Sequence, residues 1–371
     1  MLEIKHSDGN ARTGTLKLNS CKVKTPFFMP VATKGAAKNL TVEQLEGTGT
    51  ECIISNAFIL SLRPGVEAIK SHGGLHKYMG WKKGIFTDSG GFQVLSKDFL
   101  ISKSDKGVKF RNPYHGMKSL FTPEDSIKIQ NEISSDVAMC LDDVPHYGKD
   151  KKYMIETMKR THEWAKRCKD SHNNDKQLLF GIAQGGTFAD LRKKSAEEIT
   201  KIGFDGYALG GLALGESKSE LFESVEVQVE AFEKEKPKYI MGMGSPDDII
   251  EAVSMGVDCF DSIYPTQNAR RGSLFTKNGP LKIEAGKYND DLNPIEEECQ
   301  CYACKNYTRS YIHHMLVVHE NLGKTLATIH NINFMQRFME EIRTAIKDNK
   351  FEEYKREFLQ NYNIKNKLNN R

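Results

Sequence analysis

A (β/α)8 barrel, an α/β fold of the TIM type, is what this 371-residue sequence predicts. Three observations carry the prediction. Eight short apolar runs recur along the chain, and most are followed by an amphipathic segment of helix length. The runs are continuously apolar rather than alternating, as are parallel strands covered on both faces. Strands alternating with helices make βαβ units, and eight such units fit in about 250 residues. A doubly wound open sheet is the rival architecture. It loses weight because no G-x-G-x-x-G follows the first run and no G-x-x-x-x-G-K-[ST] occurs.

The elements follow in order. FFMPVAT (27–33) precedes a helical stretch at TVEQL, and ECIISNAFIL (51–60) precedes LRPGVEAIKSHGG. GIFTDSGGFQV (84–94) leads into residues 95–122, too long for an ordinary strand-to-helix loop and read as an inserted hairpin. DVAMCLDDV (136–144) precedes the long amphipathic segment 149–172, and QLLFGIAQGG (177–186) precedes 188–203. GYALGGLALG (206–215) precedes 217–235, KYIMGMG (238–244) precedes 245–256, and DCFDSIYP (258–265) closes the set. The expected organisation is a barrel core over 1–265, a metal-binding insertion over 266–335, and a C-terminal helical segment over 336–371 that closes the barrel and ends in a frayed Lys/Asn-rich tail.

Composition places the chain among globular proteins, with 39% hydrophobic and 27% charged residues. No apolar run reaches the 18 residues that a membrane span needs, so no membrane association is expected. MLEIKHSDGN lacks the basic and apolar regions of a secretory signal. A net charge of +4 does not announce a nucleic-acid binder, so any basic surface must be local. Eight cysteines are too few for a disulfide scaffold; Cys21, Cys52, Cys140, Cys168 and Cys259 read as buried thiols of a cytoplasmic protein.

In a barrel, chemistry belongs at the C-terminal ends of the strands. Those ends read Ser55-Asn56, Asp88-Ser-Gly-Gly-Phe92-Gln93, Asp142-Asp143, Gln184-Gly-Gly, Gly210-Gly211-Leu212, Met241-Gly-Met-Gly and Asp261. Three carboxylates and an amide suit a flat ring rich in N–H donors. The glycines let backbone groups approach it, and Phe92 and Met241 supply a sandwich. The acids alone also allow a hard divalent cation. Two roles are open to Asp261: a structural partner of Arg270 or Arg271, or a reactive carboxylate. Separately, Cys299-x-Cys301-x2-Cys304 is close-spaced enough to hold zinc, with His313, His314, His319 and His330 all downstream as the possible fourth ligand. Four protein ligands leave no open position, so such a zinc, one per chain, is structural.

Together, Asp88-Ser-Gly-Gly-Phe-Gln93, Gly181-Ile-Ala-Gln184-Gly-Gly, Gly210-Gly-Leu-Ala, Met241-Gly-Met-Gly, Phe260-Asp261 with Pro265-Thr266, and the cysteine motif with Thr328-Ile-His330 resemble tRNA-guanine transglycosylases, in order from about Phe27 to about Arg343. The resemblance implies a zinc-bearing (β/α)8 barrel, usually a homodimer. It also implies exchange of guanine at the first anticodon position of tRNAs with GUN anticodons for a 7-deazaguanine, in queuosine modification. On this chain it implies Asp261 as the nucleophile on ribose C1′ and Asp88 as general acid/base. Asp142, Gln184, Gly211 and Leu212 would read the base, Phe92 and Met241 would stack on it, and Cys299, Cys301, Cys304 and His330 would be the zinc ligands. Arg270 and Arg271 are placed for tRNA phosphates.

The chain departs from the family pattern at Ala57-Phe-Ile-Leu60, at Asp142-Asp143-Val144, at Leu214 and at Gln267, leaving open whether preQ1, queuine or preQ0 enters. The archaeosine-type (preQ0) alternative is weakened because the extra RNA-binding domains of archaeal members do not follow. A non-catalytic tRNA-binding partner subunit would lack part of the catalytic set, yet both Asp88 and Asp261 are present.

Overall fold

The computed structural model describes residues 1–96 and 99–369, with side chains through Tyr362. The chain opens with three antiparallel strands, β1 (Leu2–Asp8), β2 (Ala11–Lys17) and β3 (Lys22–Thr25), in a region where the apolar runs predicted no element. β1 and β3 carry many exposed charged side chains, so they produce no apolar run. Leu16 and Val23 nevertheless turn inward and plug the bottom of the barrel. Arg12 locks this sheet in place by a buried ion pair with Asp258, at 2.6 and 2.9 Å.

The barrel strands are β4 (Phe27–Pro30), β5 (Cys52–Asn56) and β6 (Gly84–Asp88), then, after an insertion built of β7 (Leu100–Ser104), β8 (Gly107–Arg111) and β9 (Lys118–Phe121), β10 (Val137–Met139), β11 (Leu178–Ala183), β12 (Gly206–Leu209), β13 (Lys238–Ile240) and β14 (Cys259–Ser262). Their order is β4-β14-β13-β12-β11-β10-β6-β5, every pairing parallel. The parallel bridge Val31–Ile54, with Ala32 N–H donating to the Ile54 carbonyl at 2.7 Å, closes β5 onto β4. The eight apolar runs are the eight strands, in the expected order.

Phe86 forms the hub of the interior, with Phe180, Tyr239 and Phe27 edge-on at 5.5, 6.0 and 6.1 Å. The insertion differs from a simple hairpin: β7, β8 and β9 form a three-stranded antiparallel sheet. Phe99, Phe110 and Phe121 seat it around the buried ring of Phe58, with centroids 5.0–5.6 Å away. At the other end of the chain, one helix, Asn321–Lys347, runs unbroken across residue 335. It carries His330 in its first half and Phe334, Phe338, Ile342 and Ile346 against the barrel in its second. The final helix continues through Asn369; the end of the tail, 370–371, lies outside the described residues. Among the described residues, no helix is long and apolar enough to cross a membrane.

Candidate active site

Period-two alternation builds the site. Ile54, Phe86, Ile182, Tyr239 and Cys259 pack in the barrel interior. Two residues further along each strand, on the same face, stand Asn56, Asp88, Gln184, Met241 and Asp261. The rule that buries the core thus delivers a ring of functional groups to the C-terminal mouth. Four of them, Asn56, Asp88, Met241 and Asp261, line a cavity of about 380 Å³ together with Phe92, Asp142, Gly211 and Leu212, among others. The structure brings together seven of the eight residues expected to act on the base or ribose. Gln184, the eighth, is fully buried behind the wall and donates to Asp142 Oδ2 from Nε2 at 2.6 Å.

Each carboxylate has its own setting. Asp261 Oδ1 accepts from the Tyr239 hydroxyl at 2.5 Å and from Gly242 N–H at 2.9 Å; among the described residues, Oδ2 accepts nothing. Burial pushes this acid up, and the two donors oppose that. Asp88 accepts from Asn56 Nδ2 at 3.0 Å and from Gly90 N–H at 3.3 Å. Burial pushes it up to about 6, partly offset by the Gly90 N–H, while the charge of Asp261 adds to the rise. Asp142 is pushed up to about 7, by burial first and by the negative charge of Asp88 second, against the Gln184 hydrogen bond. Asp88 therefore sits where a group can both give and take a proton near neutrality.

Gly210 and Gly211 are required by proximity: a Cβ at either would lie 2.4 Å from the Gln184 amide, and Gly211 has φ +66°. Gln184 Oε1 is buried and, among the described residues, has no hydrogen-bond partner.

Three further residues belong to the site. Tyr239 reads in sequence as one more member of an apolar run; its two-residue spacing from Met241 was the signal that it shares the inner face. Asn56, at a strand end, donates to both Asp88 and Gln93. Arg192, in a segment with several surface cations, is fully buried and donates to the carbonyls of Gly186, Gly210 and Gly211 at 2.5, 2.8 and 3.2 Å. It lies on the stripe shared with Ser195 and Ile199, the helical spacing that marks the buried face.

Arg270 and Arg271 lie outside the cavity wall, at the end of the helix Tyr264–Arg270 that leaves β14. Among the described residues neither forms an ion pair, so Asp261 is not their structural partner. Arg270 is half-buried, with Nη1 unpartnered among the described residues, and Arg271 is exposed.

The second cluster is Cys299, Cys301, Cys304 and His330, all buried, with ligand atoms within 4.8 Å of one another. His330 Nε2 lies 2.7 Å from the Phe275 carbonyl, which fixes Nε2 as the donor and turns Nδ1 to the sulfurs at 3.3, 3.7 and 3.8 Å. Three thiols and one imidazole at this spacing fit a four-coordinate metal ion. His313, an alternative in sequence, faces the Ile283 carbonyl instead, at 2.8 Å.

Asp142 makes a testable link between site and stability. Its folded-state value lies above the ordinary aspartate value of about 3.9, so the folded protein holds the proton more tightly than the unfolded chain. Stability is therefore lost as pH rises from about 4 through about 7. Asp142→Asn is expected to be about 1–3 kcal/mol more stable than the parent at pH 8 and equal to it near pH 4, in denaturant titrations at the two pH values. Equal stability at both would show that Asp142 carries no such penalty.

A family model described as queuine tRNA-ribosyltransferase matches residues 7–364. Proteins named queuine tRNA-ribosyltransferase from Thermotoga neapolitana and Thermotoga maritima are each 48% identical over 360 residues, covering 97% of both chains. A protein of the same name from Francisella tularensis subsp. novicida is 44% identical over 355 residues, covering 96% of this chain and 97% of its own.

Proposed function

The chain belongs to the queuine tRNA-ribosyltransferase family and is a tRNA-guanine transglycosylase, a pentosyltransferase acting on tRNA, and we propose that it exchanges wobble-position guanine for a 7-deazaguanine through a covalent bond between Asp261 and the ribose. The observation that carries the reading is the pair of half-buried acids facing one cavity, Asp261 with one oxygen tied and the other, among the described residues, free, and Asp88 poised near neutrality.

The free Oδ2 attacks C1′ as the C1′–N9 bond breaks, and Tyr239 and Gly242 hold Oδ1 so that the attack direction is set before substrate arrives. The leaving guanine takes the proton from Asp88. The entering base then loses its N9 proton to the ionised Asp88, and N9 displaces the Asp261 oxygen from C1′. Two inversions give net retention, the logic of a retaining glycosidase. A target base must leave its stack to reach such a pocket.

Asp142, Gln184 and the Gly211–Leu212 backbone read the edge of the base, and Phe92 and Met241 clamp its faces. Val144 and Leu214 line the same cavity and would meet the 7-substituent of the entering base. Arg270 and Arg271 contact tRNA phosphates, where each cation adds sequence-independent, salt-dependent affinity. The ion in the Cys3His cluster is zinc with a structural role, joining segment 266–335 to a barrel core over 1–265 that the C-terminal helices close. The active species is a cytoplasmic homodimer, and the tRNAs served carry GUN anticodons.

The test is release of radiolabelled guanine from position 34 of tRNA by preQ1, queuine and preQ0, compared side by side. One or more of these bases should displace the label; if none does, the reading fails.

A further inference from the structure

Asp142 and Asp143 are consecutive and buried, yet they face different partners. Asp142 lines the cavity. Asp143 lies on Lys103, whose Nζ is 2.7 and 3.0 Å from its two oxygens, and on Arg160, whose Nη1 is 2.5 Å from Oδ2. Its own N–H donates to the Thr161 hydroxyl at 3.1 Å. Lys103 also donates to the Tyr153 hydroxyl at 3.2 Å and stands 5.0 Å over that ring.

These groups come from two separate elements. Arg160, Thr161 and Tyr153 belong to the helix Lys151–Ser171, whereas Lys103 belongs to β7 of the inserted sheet. The helix also grips the β7–β8 turn: Trp164 and Arg167 donate to the Asp105 carbonyl at 2.8 and 2.7 Å, and Arg167 to the Lys106 carbonyl at 3.0 Å. Insertion, helix and Asp143 therefore form one braced unit directly behind the acid that lines the cavity.

We propose that Lys103 is a positioning residue for base exchange: reaching in from the inserted sheet, it holds Asp143, and through Asp143 the placement and charge of Asp142. The proposal rests on Asp142 reading the base as an ionised acceptor. The groups that face Asp142 are Asp88 from the end of β6, the neighbouring Asp143, the Gln184 amide from the end of β11, and the backbone of Gly91, where a Cβ would lie 2.7 Å from Oδ1. Two of these are negative, and among the described residues no cation pairs with Asp142 itself. The positive charge that balances this end of the site sits on the far side of Asp143. Without Lys103, Asp143 keeps Arg160 but the site becomes one charge more negative, and Asp142 ionises less readily.

The experiment measures KM and kcat for radiolabelled guanine in guanine-for-guanine exchange on unmodified tRNA, from pH 5.5 to 8.5. In the parent protein KM falls as pH rises through the ionisation of Asp142. Lys103→Met should move that midpoint up by about 0.5–1 pH unit. KM at pH 6.5 then rises about three- to tenfold and recovers at pH 8.5, with kcat there within about twofold. Lys103→Arg should restore the parent midpoint, and Asp143→Asn should move it down. A Lys103→Met protein with lowered thermal stability but an unmoved midpoint would reduce Lys103 to a structural tie and overturn the proposal. If that variant does not fold, an unmoved midpoint in Asp143→Asn overturns it equally. Identical pH profiles for the parent and Asp142→Asn would instead sink the base-reading role of Asp142.

Discussion

Asp261→Asn is expected to abolish base exchange, with a loss of about 10⁴-fold or more, the scale seen when a covalent nucleophile is removed. Asparagine keeps the shape of the side chain and an oxygen for Tyr239 and Gly242 to hold, so the fold should survive. What disappears is the charge that stabilises the oxocarbenium-like centre and the oxygen that bonds to it. Two measurements check this. Labelled guanine should no longer exchange. A tRNA–protein adduct, which the parent protein should accumulate on denaturing gels when the incoming base is withheld, should be absent. Activity within tenfold of the parent would overturn the assignment and direct attention to Asp88 as the attacking group.

Loss of the metal ion proposed for the Cys3His cluster is expected to be the other large effect. Structural zinc sites in small domains bind with apparent free energies of about 10–16 kcal/mol at pH 7, as much as or more than the total stability of an ordinary domain, about 5–15 kcal/mol. His330→Ala or Cys304→Ser should therefore bind well under one zinc per chain by elemental analysis, where the parent protein is expected to hold one. The consequence should not stay local. His330 sits on the same unbroken helix as Phe338 and Ile342, which pack on the barrel, and its other ring nitrogen holds the Phe275 carbonyl. Thermal unfolding should begin at least about 10 °C lower, with guanine exchange lost in parallel. A variant free of metal but unchanged in melting would show that the Cys3His cluster does not support the fold. Zinc content unaltered in Asp88→Asn and Asp142→Asn would separately place the metal away from the acids.

The barrel was legible because parallel strands buried on both faces leave continuous apolar runs, and all eight appear in sequence at β4, β5, β6 and β10 to β14. The polar strand ends were legible for the same reason: Asp88, Gln184 and Asp261 interrupt apolar runs at the place where a barrel presents chemistry. The cysteine motif was legible from spacing, although the fourth ligand was not, since four downstream histidines satisfied the pattern equally. The N-terminal sheet was missed because β1 and β3 are too polar to stand out. Tyr239 and Arg192 were missed because a tyrosine in an apolar run and an arginine in a basic helix look ordinary until their neighbours are known.

By itself the sequence determined which residues alternate inward along each strand, and hence which side chains reach the mouth together. That follows from local geometry, since the two-residue period of a strand and the helical repeat are properties of the backbone. The tertiary structure alone decided what each of those groups experiences. Asp88, Asp142 and Asp261 are identical side chains, and nothing local distinguishes their roles. Tyr239 and Gly242 on Asp261, Gln184 on Asp142, and Lys103 behind Asp143 come from distant parts of the chain. The ionisation of a buried acid depends on the water removed from around it and on the charges brought near, and both exist only once the barrel has closed.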